Sequence, residues 1–411
     1  MMGQQPGGWW MITLRTLLLA LPLMLGACAA DTTPPSPQAA AAMAPQDAAR
    51  LRQAGKEVLF WNQEQRDRNF RTMEKIFPTR TVKAGGKPRP LPAGEPIEGA
   101  LGGEAAVDAL MAASNASGLL ILQGGKVRLE RYARGHGPNE RWTSFSVAKS
   151  LTSTLVGAAL QDGHIKSLGD PVTRYIPELA GSGYEGVTVR QILTMTSGVR
   201  WNEDYTDPKS DVAMMFAQAP RPGEDVTIAY LRKLPREAEP GTKWVYKTGE
   251  TNLIGVLVRR ATGKSLARYA SEKIWRPYGM EADAYWQIDE GGQEIGGCCL
   301  SVALRDYGRI GQFVLDGGKA GGKQVVPANW FAEATSKQAE IGAPNRGYGY
   351  QWWAGPGGTF AAVGIFGQMI HIDPARKLVV VVSGAAAQAT GRELTQARAA
   401  LVEKVTVAAM R

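Results

Sequence analysis

The sequence predicts an α+β protein, a sheet domain with a mostly helical lobe inserted into it. Two β-rich runs near residue 120 are split by Gly124-Gly125, further apolar runs lie between residues 347 and 384, and the long middle reads as helix and loop. The 411 residues fit one large domain or two. Hydrophobic residues at 44% and charged residues at 21% exclude wholesale disorder. The 47 Lys and Arg against 38 Asp and Glu leave a net charge of +9. The basic residues alternate with acids, as in RDRNFRTMEK, so they read as a solvated surface and no nucleic-acid partner is expected. Three cysteines cannot make a disulfide framework and three histidines cannot build a His-rich metal site, so neither metal nor cofactor is expected.

Residues 1–27 read as a secretory signal, with Arg15 ahead of the apolar run TLLLALPLMLGA. Those 12 residues are too few to span a bilayer as a helix, which takes about 20. The run ends Leu25-Gly26-Ala27-Cys28, which resembles the lipobox of bacterial lipoproteins. The resemblance implies lipidation of Cys28, a membrane partner through that anchor, and a cell-envelope location facing the periplasm. The absence of Asp at position 29 favours the outer membrane. A plain signal peptide with an incidental Cys is the alternative, and Met11 competes with Met1 as the start. Residues 28–49 are Ala/Pro-rich without apolar periodicity and read as a flexible tether, followed by an N-terminal helical extension over 50–100 and the main domain over 101–411.

Within the extension, residues 50–77 carry spaced apolar residues and read as a surface helix, with a Pro/Gly-rich stretch after it. The segment GLLILQGGKVRLERYARG reads as a hairpin. Small and apolar residues from Ser146 to Leu160, stopped by Asp162-Gly163, read as a helix. VTVRQILTMTSG reads as a short helix, residues 201–240 as polar loop, and TNLIGVLVRRATG as an amphipathic helix. GYGYQWW, TFAAVGIFGQMIHIDP and KLVVVVSG read as three strands, the last fully buried, and residues 393–410 as a closing helix. Adjacent Cys298 and Cys299 would close a tight, strained ring, so two buried thiols are expected.

No serine lies in the G-x-S-x-G pattern of many His-dependent hydrolases, and His136, His164 and His371 each read as structural. The remaining route to an activated serine is a lysine base. Ser-x-x-Lys occurs once, as Ser146-Val147-Ala148-Lys149. On a helix those side chains share a face, so hydroxyl and amine can meet. Burial would depress the amine's pKa until it accepts the serine proton, and a serine at a helix start has its own N–H free for an oxyanion. A motif this short also occurs by chance in a chain of this composition, so its context has to carry it.

That context, TSFSVAKSLTSTLVGAALQDGHIKSLGDPVTRYIPEL, resembles the penicillin-recognising serine hydrolases, the superfamily of class C β-lactamases, D-alanyl-D-alanine peptidases and related esterases. The resemblance continues through VTVRQILTMTSGV, PGTKWVYKTGETNLIGVLVRRATGKSL, IWRPYGMEADA and FAAVGIFGQMIHIDP, covering roughly residues 100–385. MTSGVRWNEDYTDPKSDVA, GGCCLSVALRDYGRIGQF and GYGYQWW are similar to the 6-aminohexanoate-oligomer hydrolase branch. The resemblance implies a β-lactamase/transpeptidase-like fold, an antiparallel sheet flanked by helices. It implies Ser146 as nucleophile, Lys149 as its base partner and Tyr246 as proton relay. It also implies Tyr205 in a substrate loop, with simple packing over the pocket as the other reading. Gly364-Ile365-Phe366-Gly367-Gln368 fills the slot of a substrate-lining strand, where Gly364 and Gly367 let backbone approach the substrate. The Ile365 N–H joins that of Ser146 as oxyanion donor, with Phe366 the competing choice. The superfamily's Tyr-x-Asn is missing, because Lys247 and Thr248 follow Tyr246. Lys247-Thr248-Gly249 spells a β-lactamase box but precedes a helix instead of lying on a late strand, and it reads as coincidence. The expectation is a hydrolase of small amide, ester or peptide substrates through an acyl-enzyme. Its rivals are a true β-lactamase or D-alanyl-D-alanine carboxypeptidase, and a silent envelope-binding protein. Oligomeric state is not legible.

Overall fold

Leu119 to Leu122 and Val379 to Val382 are apolar at every position, so a sheet built from them must be covered on both faces. The computed structural model, which describes residues 43–217, 219–221 and 223–411, shows that it is. In chain order the main strands are β1 (Thr79–Val82), β2 (Ala116–Gln123), β3 (Lys126–Tyr132), β4 (Arg141–Thr143), β5 (Ala284–Gln287), β6 (Leu300–Ala303), β7 (Gly347–Tyr348), β8 (Trp353–Ala354), β9 (Phe360–Val363), β10 (Met369–Asp373) and β11 (Leu378–Gly384). The large sheet runs β3-β2-β11-β10-β9-β8-β7 with every neighbouring pair antiparallel. A smaller sheet runs β1-β5-β6-β4.

The longer helices are α1 (Pro45–Glu57), α2 (Glu104–Ala113), α3 (Val147–Gln161), α4 (Thr248–Thr262), α5 (Leu304–Leu315) and α6 (Arg392–Ala408). Alternation along the strands sorts the core into two layers. Leu120, Leu122, Val379 and Val381 face α3 and α5, whereas Leu119, Ile121, Val380 and Val382 face α2 and α6. The expected α+β architecture, an antiparallel sheet flanked by helices with a mostly helical lobe between β4 and β5, is therefore present.

The hairpin forms as read, with Gly124 and Gly125 both at positive φ (57° and 77°), the geometry a two-residue turn between twisted strands requires. The expected helix after Ser146 is α3, and it is buried from Val147 through Ala159. Its hydroxyls are satisfied by loop carbonyls: Ser150 by Gln351 and Ser153 by Tyr350, each at 2.7 Å.

Several expectations need correction. The segment read as tether to residue 49 is already helical from Pro45, which pre-sets φ at the first turn of α1. The single helix over 50–77 is a series of short helices, because Asn62 starts a new one with a capping box to Gln65. The extension over 50–100 is not purely helical: β1 pairs with β5, so it is woven into the main domain. Residues 201–240 include two short helices, Asp211–Ala217 and Val226–Leu231. The segment read as an amphipathic helix belongs to α4, which is buried from Thr248 to Val258, since it runs between α3 and the lobe. The three late runs make five strands: Gln351 at φ 63° breaks the first, and a 3-10 turn at Ile365–Gly367 breaks the second. All seven residues of the third, β11, are buried as read. The closing helix is α6. Residues 1–27, Cys28 and the tether up to residue 42 lie outside the described residues.

Candidate active site

Ser146 caps the N-terminus of α3 and is 7% exposed. The residue before it, Phe145, has φ 41°, a left-handed conformation that costs a non-glycine residue about 1–3 kcal/mol. Aromatic packing holds the conformation in place. The Phe145 ring packs edge-on against Phe70 of the extension at 5.0 Å and lies 5.3 Å from Phe366, which itself lies 5.3 Å from Phe70. Phe70 thus joins the turn carrying Ser146 to the turn carrying Ile365.

Lys149 sits one helical turn after Ser146, is 1% exposed, and places Nζ 3.0 Å from Ser146 Oγ. The same Nζ reaches Thr248 Oγ1 at 3.0 Å and the Gly297 carbonyl at 2.7 Å. Burial pushes the Lys149 amine down to about 8, opposed by the Glu203 carboxylate. Gly297 is fixed in turn: its N–H donates to Asn252 Oδ1 at 2.8 Å, and a Cβ there would lie 2.9 Å from that oxygen.

Tyr246 stacks on Trp353 at 5.6 Å and meets the edge of Tyr348, and Lys149 Nζ lies 5.2 Å from its ring centre. Burial first, then Glu203, push the Tyr246 phenol above its ordinary value, with the Ser146 hydroxyl acting the other way. The phenol is therefore neutral at physiological pH and sits beside an amine shifted in the opposite sense, the arrangement that separates an acid from a base.

Glu203 gathers this side of the site. It accepts from Tyr205 Oη (2.7 Å), from the Thr248 N–H (2.9 Å), from the Thr248 hydroxyl and from Trp201 Nε1. Thr248 is the first residue of α4, so Glu203 also takes a backbone donor that the helix start leaves free. Tyr205 lines the cavity, and its hydroxyl is committed to Glu203.

The Gly364–Gln368 segment is a turn between β9 and β10, which corrects its reading as a strand. Gly364 is extended, but a Cβ would lie 2.7 Å from the Ser144 carbonyl and 3.1 Å from Ser146 N, so only glycine lets this turn touch the Ser146 loop. Gly367 differs. At φ 107° it backs onto Gly384 and Ser114, so its glycine shapes the turn from behind and does not face substrate. Of the two competing N–H groups, that of Phe366 donates to the Ala389 carbonyl at 2.9 Å. Among the described residues neither the Ser146 N–H nor the Ile365 N–H has a partner.

A cavity of about 460 Å³ opens beside Ser146. Phe145, Tyr205, Thr248 and Ile365 line it, together with Leu51 and Phe216. Cys298 and Cys299 also line it, as a disulfide with a Cα–Cα distance of 3.7 Å, which corrects the expectation of two thiols. Cys299 adopts φ 67°, an unusual turn for a residue with a side chain, where the pair closes its ring. The histidines lie elsewhere. His136 is buried against Trp142 and Tyr132, His371 is on β10, and burial pushes both down to about 4. His164 is exposed beyond the end of α3.

The family described as beta-lactamase matches residues 104–403. The chain belongs to the beta-lactamase family. It is a serine hydrolase, related to amidases and esterases. The 6-aminohexanoate-dimer hydrolase of Paenarthrobacter ureafaciens is 34% identical over 278 residues, covering 64% of this chain and 70% of that one. A beta-lactamase of Escherichia coli K12 is 28% identical over 132 residues, covering 32% of this chain and 31% of that one. A solved Bacillus anthracis structure, described as a candidate 6-aminohexanoate-dimer hydrolase, shares the fold with a TM-score of 0.73 at 24% identity, over 82% of this chain and 93% of that one. A penicillin-binding protein of Bacillus halodurans shares it with a TM-score of 0.59 at 16% identity, over 72% and 99%.

Within this beta-lactamase fold, Ser146, Lys149, Tyr246, Tyr205 and Ile365 converge as the motifs implied. Thr248, Glu203, Gly297 and Asn252 were missed. The signal for Thr248 was in the sequence: it occupies the third position of the Tyr-x-Asn slot, where its hydroxyl meets Lys149. Lys247 points elsewhere, into a buried pair with Glu250 at 3.6 Å, so the Lys-Thr-Gly spelling does not act as a strand box.

Proposed function

We propose that this hydrolase cleaves short linear amides or esters through an acyl-enzyme on Ser146. The contact between buried Lys149 Nζ and Ser146 Oγ, at 3.0 Å, carries the reading. A neutral amine has two N–H bonds and one lone pair. The Gly297 carbonyl can only accept, and the Thr248 hydroxyl gives its proton to Glu203, so both take N–H bonds from Lys149. The lone pair is left for the Ser146 proton. Ser146 Oγ then attacks the substrate carbonyl, and the Ser146 and Ile365 N–H groups receive the oxyanion. Tyr246, kept neutral, passes its proton to the leaving amine or alkoxide and takes in its place the proton that Lys149 received from Ser146, so that both groups return to neutral. Water releases the acid by the same path in reverse.

Similarity to a relative named for hydrolysis of a 6-aminohexanoate dimer supports a linear substrate, as does Thr248 in place of the amide-binding Asn. Small peptides of the cell wall belong to the same chemical class. The proposal includes export, a lipid anchor on Cys28 and a site facing the periplasm. Intact-mass detection of an acyl-enzyme, over p-nitrophenyl esters, linear amides and a penicillin, tests it. The expected adduct forms with esters and linear amides and is absent in Ser146→Ala. Faster turnover of the penicillin would make the protein a β-lactamase or D-alanyl-D-alanine peptidase instead.

A further inference from the structure

Five polar backbone groups of Gly364, Ile365 and Phe366, in the turn before Gln368, can be followed to a partner. The Gly364 N–H donates to the Gln368 carbonyl at 2.9 Å, and the Phe366 N–H to Ala389. The Phe366 carbonyl accepts from the Ala386 N–H, and the Ile365 carbonyl from Gln368 Nε2 at 3.3 Å. The Gly364 carbonyl accepts from Arg398 Nη2, on α6. The Ile365 N–H, in contrast, has no partner among the described residues.

The Gly364 carbonyl and the Ile365 N–H belong to one peptide unit. That unit is planar and trans, so its C=O and N–H point in opposite directions. Holding the carbonyl from the α6 side therefore turns the N–H toward the other side, where Ile365 lines the cavity and Gly364 lies against Ser146 N. Arg398 is an unusual residue to find there. Its Nε has no partner among the described residues, and burial pushes the guanidinium down to about 10 with no carboxylate opposing it. Leaving a cation so poorly compensated is unfavourable, and among the described residues its one polar contact with the fold is this peptide carbonyl. A cation on the carbonyl also draws electron density from the peptide and makes its N–H a stronger donor.

We propose that Arg398 is a positioning residue for oxyanion stabilisation: it grips the Gly364 carbonyl from behind and so aims and polarises the Ile365 N–H. The inference rests on the reading of Ser146 and Ile365 given above. It concerns a residue about 250 positions from the nucleophile, on a helix that contributes nothing to the cavity wall.

The test compares wild type, Arg398→Ala and Arg398→Lys in the full chain, on a p-nitrophenyl ester and its thionoester. Sulfur is a weak acceptor on a longer bond, so the thionoester gains little from oxyanion donors. Removing such a donor costs about 10²–10³-fold in kcat, and misaiming one should cost less, about 10–100-fold. Arg398→Ala should lower kcat on the ester by that factor with KM little changed. Its thionoester rate should barely move, so the ester-over-thionoester ratio collapses, and Arg398→Lys should recover part of it. Equal losses on both substrates would mean that Arg398 merely anchors α6, and an unchanged ester kcat would also overturn the proposal. Should Arg398→Ala lose its thermal transition, Arg398→Gln decides by the same ratio. Labelling with a fluorophosphonate separates the two readings. A wild-type chain not labelled at Ser146 sinks the Ser146 reading without reference to Arg398. Labelled Ser146 with an unchanged ratio in the variants sinks the Arg398 proposal alone.

Discussion

Lys149 can act as a base only when neutral, and burial has brought it to about 8, so the rate should rise with pH through that value. The kcat/KM profile of the free enzyme is expected to climb from pH 6 and level off above about 8. Glu203 holds the Lys149 amine up against burial, so Glu203→Gln should move the rising limb to lower pH. A limb that stays in place, or moves up, would show that Glu203 does not act on Lys149. Lys149→Ala should lose about 10²–10⁴-fold, the range for removal of a general base. Tyr246→Phe keeps the ring that stacks on Trp353 but loses the hydroxyl, so its rate should fall while its thermal midpoint holds. The double variant should cost much less than the product of the single losses, since the two groups serve one proton path. An active Lys149→Ala beside a dead His136, His164 or His371 variant would overturn the mechanism.

At the scale of elements, the two turns of the site are braced by a segment far from them in sequence. Phe70 is fully buried and touches both Phe145 and Phe366, which flank Ser146 and Ile365 and both stand at positive φ. Phe70→Ala should destabilise the fold by about 3–5 kcal/mol, the usual cost of emptying such a site, and should lower kcat in the fraction that folds. Denaturant unfolding followed by assay at low denaturant separates the two effects. A loss of stability with full activity would show that the turns hold their shape unaided. The interior of α3 makes the complementary point. A Cβ at Gly157 would lie 2.7 Å from the Trp330 ring. Gly157→Ala should therefore lower the thermal midpoint, because overpacking costs about 1–3 kcal/mol while helix propensity returns about 1.

For the whole molecule, the N-terminal segment joins the catalytic body in two ways. β1 completes the smaller sheet, and α1 with the turn after it supplies Leu51 and Val58 to the cavity wall. The extension read as a separate stretch is therefore part of the wall of the cavity beside Ser146. Cys28 stands 17 residues ahead of Pro45, the first residue of α1, so an anchor there would tether the domain near a membrane surface. Cys28→Ser should leave kcat unchanged while releasing the protein from the membrane fraction. A variant that still sediments with membrane at unprocessed mass would remove the lipid anchor from the account.

The sequence by itself determined what depends on local pattern. Gly124-Gly125 called for positive φ at both positions and so for a hairpin. The unbroken Leu378–Gly384 run called for a strand covered on both faces. Ser146 and Lys149, three apart, had to share a helix face, and the motifs around them implied the family. The tertiary structure alone decided what depends on chains meeting. Thr248, Gly297 and Glu203 reach one amine from separate segments, and no spacing rule links residues 54 to 148 positions away from that lysine. The same reason explains the short strands β1, β4, β5 and β6, which hold together by mutual pairing and carry too few residues to show a period. The Phe366 N–H is taken by the Ala389 carbonyl, and Arg398 reaches the turn from the last helix. Hydrogen-bond competition and burial are set by which surfaces pack, so the Ser146–Lys149 pair was legible along the chain and its surroundings were not.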